Sequence, residues 1–252
     1  MDAKTVETLC TTTNNFYRDY CDSFAQTRQA PWTGWERCLA AVGAENSAAW
    51  QKFSVLDVAC GNLRFEAFLA GAHDRADITF YAVDNCDDLL PTTPAVSYQN
   101  LDVLEALRHG QNITDQLAAP ACDLCVSFGF LHHVPTQAYR EKILLSLIAH
   151  TRPGGYVIVS LWQFLNSDAL AQKAQITHAR ALEELGLPAL DNNDYLLGWQ
   201  NTPGAYRYCH SFSEAEIDQL IAAARPAATP IARFHADGKT GNLNTYVVWK
   251  VG

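Results

Sequence analysis

Five apolar runs follow one another at short intervals: SVLDVA (54–59), ITFYAVD (78–84), AVSYQNLD (95–102), CDLCVSFGF (122–130) and GYVIVSLW (155–162). Stretches of helical periodicity separate most of them. Strands that alternate with helices must return to the same edge before pairing, so they build a parallel sheet covered on both faces. Two later runs, TPIARFHA (229–236) and NTYVVWKV (244–251), flank only DGKTGNL, and such a short link allows antiparallel pairing alone. The pattern predicts an α/β fold: a doubly wound, mostly parallel, seven-stranded sheet ending in an antiparallel hairpin. The 252 residues, 48% hydrophobic, suit one domain. Residues 1–45 read as an N-terminal helical cap and 163–212 as a helical lid or substrate insertion, carrying SDALAQKAQITHARALEELG.

Charge and cysteine usage narrow the class. Net charge is −9 with a pI near 5.3, and no lysine or arginine cluster occurs. Such a chain lacks the phosphate attraction on which sequence-independent nucleic-acid binding rests, so an RNA substrate would need a local basic patch or a basic partner subunit. No apolar run approaches about eighteen residues and no basic-then-apolar leader opens the chain, so neither a membrane span nor a secretory signal is expected. A cytoplasmic monomer is the expectation. The eight cysteines are scattered through apolar segments and read as buried thiols. Cys122 and Cys125 form a CxxC inside an apolar run with no second pair at zinc spacing, so no metal is expected.

Ligands of such sheets bind beyond the carboxyl ends of the strands, where strand order reverses. The residues expected there are Asp57 with the turn Ala59, Cys60 and Gly61; Asp84 followed by Asn85; Asp102 followed by Val103; and Phe128 with Gly129. Asp84 is placed to accept from both hydroxyls of a ribose, Asp102 from an adenine amino group, and Asp57 to orient the turn or face a cationic cofactor. Against these stands the ordinary use of aspartate as a helix cap. The turn, DVACGNLR, lacks the GxGxxG that brings backbone against a pyrophosphate, which argues against a nicotinamide enzyme. A nucleoside cofactor without phosphates needs less of it.

The segments VLDVACGNLRF, YAVDNCDDLL, QNLDV, CDLCVSFGFLHHVP and TRPGGYVIVSLW, in this order, resemble the motifs of class I S-adenosylmethionine-dependent methyltransferases over roughly residues 50 to 165. The resemblance implies a Rossmann-like fold and S-adenosyl-L-methionine as cofactor. It puts Asp84 on the ribose, Asp102 on the adenine, Gly61 at the closest backbone approach and the Phe128 and Gly129 backbone at the methionyl amino group, with Cys86 and Leu63 lining the pocket. Glycines are usual in the family where this chain has Ala59 and Leu63. Ala59 is expected at negative φ, and Leu63 inside the following helix with its side chain toward the sheet.

The ends of the chain add an acceptor. Tyr17, Phe24, Thr27, Arg28, Pro31 and Trp32, with YLLGW (195–199) and RYCHSF (207–212), resemble the tRNA wobble-uridine carboxymethyl methyltransferases and their bacterial relatives, with Cys209 at a usual tyrosine. That resemblance implies methyl transfer to a carboxylate. Arg28 can grip the methionine carboxylate in two-pronged fashion. A carboxylate nucleophile is ionised at neutral pH and needs alignment, not a general base. Arg207 and His210 are candidates to position it, and His133 to touch it, with His132 a weaker candidate; Trp32, Trp162 and Tyr208 are the expected substrate surface. The aromatic residues suit a base-stacking platform or the lid of a small-molecule pocket. Acceptors therefore range from tRNA to a small anionic molecule, with a small-molecule O- or N-methyltransferase and a non-catalytic partner subunit as alternatives.

Overall fold

The computed structural model describes residues 1–43, 52–72, 77–90 and 96–252. The sheet strands are β1 (Lys52–Val58), β2 (Asp77–Asp84), β3 (Val96–Asn100), β4 (Cys122–Ser127), β5 (Thr151–Trp162), β8 (Ala228–Ala236) and β9 (Asn244–Val251). They lie in the order β3-β2-β1-β4-β5-β9-β8. The first five are parallel, while β9 runs antiparallel to both β5 and β8. The predicted seven-stranded sheet and terminal hairpin are both present.

Period-two alternation decides what each strand presents to the helices. On β1, Leu56 and Val58 enter a core with α4 (Val103–Arg108), α5 (Ile113–Gln116), α6 (Gln137–Ala149) and α8 (Glu214–Ala223). Val55 faces the other side, against Trp35 of α2 (Thr33–Ala41) and Phe65 and Leu69 of α3 (Arg64–Ala72). Asp57 shares the Val55 face, and so is aimed at α3. Strand order reverses between β1 and β4, which splays the turns after them and opens a crevice there.

Two features differ from the sequence reading. The third strand ends at Asn100, and Asp102 is instead the N-cap of α4, accepting from the Glu105 N–H at 2.9 Å. The insertion is not wholly helical: α7 (Asp168–Leu185) is followed by a separate antiparallel pair, β6 (Asp194–Trp199) and β7 (Thr202–His210). The cap comprises α1 (Ala3–Gln26) and α2, and the expected boundary at 45 lies outside the described residues. Helix α1 bends at Tyr20, whose φ and ψ of −127° and 16° are not helical. Among the described residues no helix is long and apolar enough to cross a membrane.

Candidate active site

A cavity of about 1070 Å³, counted to its open mouth, lies over the ends of β1, β2 and β4 and under α1. Every predicted cofactor residue lines it: Arg28, Asp57, Ala59, Gly61, Asp84, Asn85, Asp102, Val103, Phe128 and Gly129, together with Trp32 and His133. Cys86 and Leu63 are not among its lining residues.

The turn after β1 is held from β2. Ala59 and Cys60 donate their N–H groups to the Val83 carbonyl at 2.7 and 3.1 Å, and Gly61 donates to Asp84 Oδ2 at 2.8 Å. The other Asp84 oxygen accepts from the Asn85 and Cys86 amides. Ala59, Gly61 and Leu63 all adopt left-handed φ, at 65°, 56° and 58°. The expectations that Ala59 sits at negative φ and that Leu63 has joined the helix are therefore corrected: the chain keeps a glycine backbone without the glycines, at a strain of roughly 1 kcal/mol per residue. Leu63 does leave the cavity, packing with Cys60 and Ala82 in a small core. With its amides committed internally, the turn has little left for a pyrophosphate, yet Gly61 faces open space. These features fit a phosphate-free nucleoside such as S-adenosylmethionine.

The acids differ in their surroundings. Asp84 retains an unused acceptor position beside the cavity even with its three amide donors; burial raises its carboxyl pKa, partly offset by those donors. Asp102 accepts from Asn14 of α1 at 2.6 Å, and Asn14 in turn accepts from Asn85, so one asparagine links two strand ends. Asp57 is 2% and Glu66 4% exposed. Burial first, then the facing acids Glu66 and Asp84, push the Asp57 pKa well up.

Arg28 lines the cavity, whereas Arg207 lies near the same indole, that of Trp199, but outside the lining. The Arg28 guanidinium lies 3.6 Å from the Phe24 ring centre and 6.0 Å from that of Trp199, its side chain bonding only the Thr27 hydroxyl. Arg207, on β7 and 6% exposed, sits 4.9 Å from the Phe16 ring and 5.4 Å from Trp199, with a single long bond to the Gly198 carbonyl. Neither has a carboxylate within ion-pair distance among the described residues. Burial lowers the Arg28 pKa to about 10.

The histidines are fixed. His133 Nδ1 is 2.7 Å from the Tyr208 carbonyl, which can only accept, so Nδ1 carries the proton; Nε2 then accepts from the Tyr17 hydroxyl at 2.7 Å. Burial pushes its pKa down to about 3. The His132 ring lies 4.9 Å from that of Trp162 at a tilt of 58°, and its Nδ1 has no partner among the described residues. Trp162, Tyr208, Arg207 and His210 lie outside the cavity lining. Tyr208 and His210 belong to a buried network: both contact Asp194 Oδ1, at 2.5 and 2.6 Å, Arg140 donates to the Tyr208 hydroxyl at 2.9 Å, and Glu216 Oε1 is 2.9 Å from His210 Nε2. That arrangement fixes the β6–β7 pair and sets both His210 nitrogens beside carboxylates, outside the cavity lining.

Lining residues the sequence reading did not single out include Asn14, Trp35, Asn62 and Arg64. The helical spacing of Thr13, Asn14, Tyr17 and Phe24 on one face of α1 was the available signal. Partnerless Glu66 had none, being one more acid in a helix.

The profile of the family described as "Methyltransferase domain" matches residues 56–159, from β1 through β5, which includes the turn and three of the strand ends. Residues 56–159 carry a methyltransferase domain of the S-adenosylmethionine-dependent kind. It is 25% identical to mouse tRNA (carboxymethyluridine(34)-5-O)-methyltransferase ALKBH8 over 150 residues, 58% of this chain and 19% of that protein. The chain thus spans about a fifth of that relative. A putative methyltransferase of Encephalitozoon cuniculi is 25% identical over 82% of this chain and 83% of its own length. Among solved structures, a Burkholderia thailandensis 1,6-didemethyltoxoflavin-N1-methyltransferase with S-adenosylhomocysteine covers 94% of this chain and 88% of its own at TM-score 0.56 and 19% identity. A Methanosarcina mazei methyltransferase gives 0.56 at 14% identity, with 80% and 93% covered. These two share the methyltransferase fold.

Proposed function

We propose that this methyltransferase esterifies a carboxylate of an anionic acceptor, and that the carboxymethyl side chain of a tRNA wobble uridine is that acceptor. The observation that carries the reading is the pair Arg28 and Arg207, two sheltered guanidiniums around one indole with no carboxylate among the described residues opposite them. A cation taken from water without a counter-ion is destabilising, and is retained where a ligand supplies the charge.

S-adenosylmethionine, when bound, supplies an electrophilic methyl group on a sulfonium. The protein's part is placement. Asp84 takes a ribose hydroxyl on its remaining lone pair, Asp102 and Asn14 stand at the adenine edge, and Arg28 takes the methionine carboxylate. An ammonium only donates, so the methionyl amino group is held by carbonyls of that turn, whose Gly129 N–H is itself given to Ser160 Oγ at 2.9 Å. Arg207 holds the acceptor carboxylate, and Tyr17, locked by His133, forms the wall between the two. Trp32 and Trp199 flank the mouth.

The mouse relative is named for a carboxymethyluridine acceptor, which supports the tRNA reading. The net charge of −9 favours a second reading, a small carboxylic acid as acceptor. Incubating the protein and S-adenosylmethionine with carboxymethyluridine-bearing tRNA, and separately with small carboxylic acids, tests it. A one-methyl mass gain on the modified nucleoside is expected; esterification of the small acids alone would transfer the assignment to them.

A further inference from the structure

The mechanism above asks Arg207 to hold the acceptor carboxylate, yet Arg207 does not line the cavity and is 6% exposed. The rings of Phe16 and Trp199 lie against its guanidinium, at 4.9 and 5.4 Å. Phe16 is buried in the body of α1. Trp199 stands at the end of β6, on a part of the hairpin built to move.

The tip of the β6–β7 pair is uncoupled from the ladder beneath it. Gly198 pairs with Tyr206, but the next residue, Trp199, pairs with Thr202, so Pro203, Gly204 and Ala205 stand opposite no residue of β6. Such an insertion interrupts the ladder and bends the strand. Glycine marks the break on both strands, and Gly204 takes a left-handed φ of 74°. Residues 200–204 are exposed. Among the described residues, the polar tie between this tip and α1 runs from Trp199 Nε1 to Ser23 Oγ, at 2.9 Å. Ser23 gives its own proton to the Tyr20 carbonyl, at the bend of α1, which leaves its oxygen free to accept the indole N–H. The tie therefore joins two segments, each set off by a break from the regular element that carries it.

We infer that Trp199 is a gate over the Arg207 anion site, latched by Ser23, and that the hairpin tip lifts the indole to admit the acceptor carboxylate. The bond from Arg207 to the Gly198 carbonyl is long, at 3.4 Å, so a carboxylate that grips the guanidinium replaces it with a stronger contact and releases the glycine at the break. Closed, the gate keeps water from the guanidinium; open, it joins Arg207 to the cavity that Arg28 already lines. This rests on the anionic-acceptor reading and adds how the acceptor enters.

Modification of the whole chain by phenylglyoxal, followed arginine by arginine in a mass spectrometer, measures how often Arg207 is uncovered. Arg18, exposed on α1, and Arg140, buried beside Asp194, are the open and closed references. Wild-type Arg207 is expected to react far more slowly than Arg18. Ser23→Ala removes the latch and is expected to speed Arg207 about fivefold, the weight of one neutral hydrogen bond in a local opening, with Arg140 unchanged. Trp199→Phe removes the donor and is expected to give at least that gain, and adding Ser23→Ala to it gives no more. Wild-type Arg207 as reactive as Arg18, or a Ser23→Ala rate that is unchanged or rises only together with that of Arg140, would overturn the gate. Carboxymethyluridine-bearing tRNA and small carboxylic acids, added to the Ser23→Ala chain, separate the gate from the acceptor reading. If neither slows the labelling of Arg207 while the latch behaves as stated, the acceptor reading falls and the gate stands.

Discussion

Arg28 and Arg207 approach the Trp199 ring to 6.0 and 5.4 Å, yet they come from opposite ends of the chain and neither meets an acid. Aromatic faces lessen the repulsion between such neighbours through cation–π attraction, but they do not neutralise it. The arrangement gathers two unpaired cations beside one indole in a protein of net charge −9. An anion that the acidic surface repels as a whole is attracted locally by these two guanidiniums.

Arg207→Met is predicted to separate stability from function. Removing an uncompensated buried cation should stabilise the protein by about 1 kcal/mol, while the acceptor KM rises more than tenfold and the dissociation constant for S-adenosylmethionine stays unchanged. Thermal unfolding, acceptor kinetics and cofactor titration check the three parts.

Asp84→Ala is predicted to be a poor probe of cofactor binding alone. Its carboxylate holds the Gly61, Asn85 and Cys86 amides, so the variant should lose about 2–3 kcal/mol of stability as well as cofactor affinity. Urea denaturation with and without cofactor distinguishes the two losses.

The left-handed positions of the turn should respond oppositely to glycine. Ala59→Gly relieves strain and is expected to stabilise by about 0.5 kcal/mol. Leu63→Gly relieves the same strain but empties a side chain only 3% exposed, for a net loss of about 1–2 kcal/mol. Denaturant midpoints of the two variants check the sign.

Acid should weaken the fold through the buried histidines. Burial depresses His133 from 6.5 to about 3 and His132 well below 6.5. The unfolded chain binds protons that the folded chain refuses, so their contribution is intact above pH 6.5 and is lost as pH falls below it, by up to about 1.4 kcal/mol per pH unit for each histidine. His132→Gln should flatten the fall of the melting temperature between about pH 6.5 and pH 5. The same depression predicts that no histidine limb near pH 6.5 shapes the rate of methyl transfer through His133.

How far the sequence foretold this structure depends on whether the signal was local. Each strand of the main sheet was legible because a buried strand needs a short apolar run, and the strand ends then located Asp57, Asp84 and Phe128. Asp102 has both roles weighed for it, helix cap and cavity wall. The β6–β7 pair escaped because DYLLGW and AYRYCH do not alternate cleanly, apolar side chains being buried on both faces of the pair. His210 and Tyr208 looked functional for their chemistry, and only the pairing Asp194↔His210 shows them engaged in structure. Ala59 and Leu63 misled in the other direction, since residue type predicted a backbone that neighbouring hydrogen bonds overrode. The meeting of Arg28 with Arg207 is a product of topology, which no local pattern carries.

The most direct measurement of the central claim follows a radiolabelled methyl group from S-adenosylmethionine into total tRNA and into a pool of small carboxylic acids, and then exposes the products to mild alkali. Methyl esters hydrolyse under those conditions and release the label as volatile methanol. The account predicts that the incorporated label is alkali-labile and is lost with Arg207→Met. Label that survives alkali, as a methyl group on nitrogen, carbon or an ether oxygen would, contradicts it.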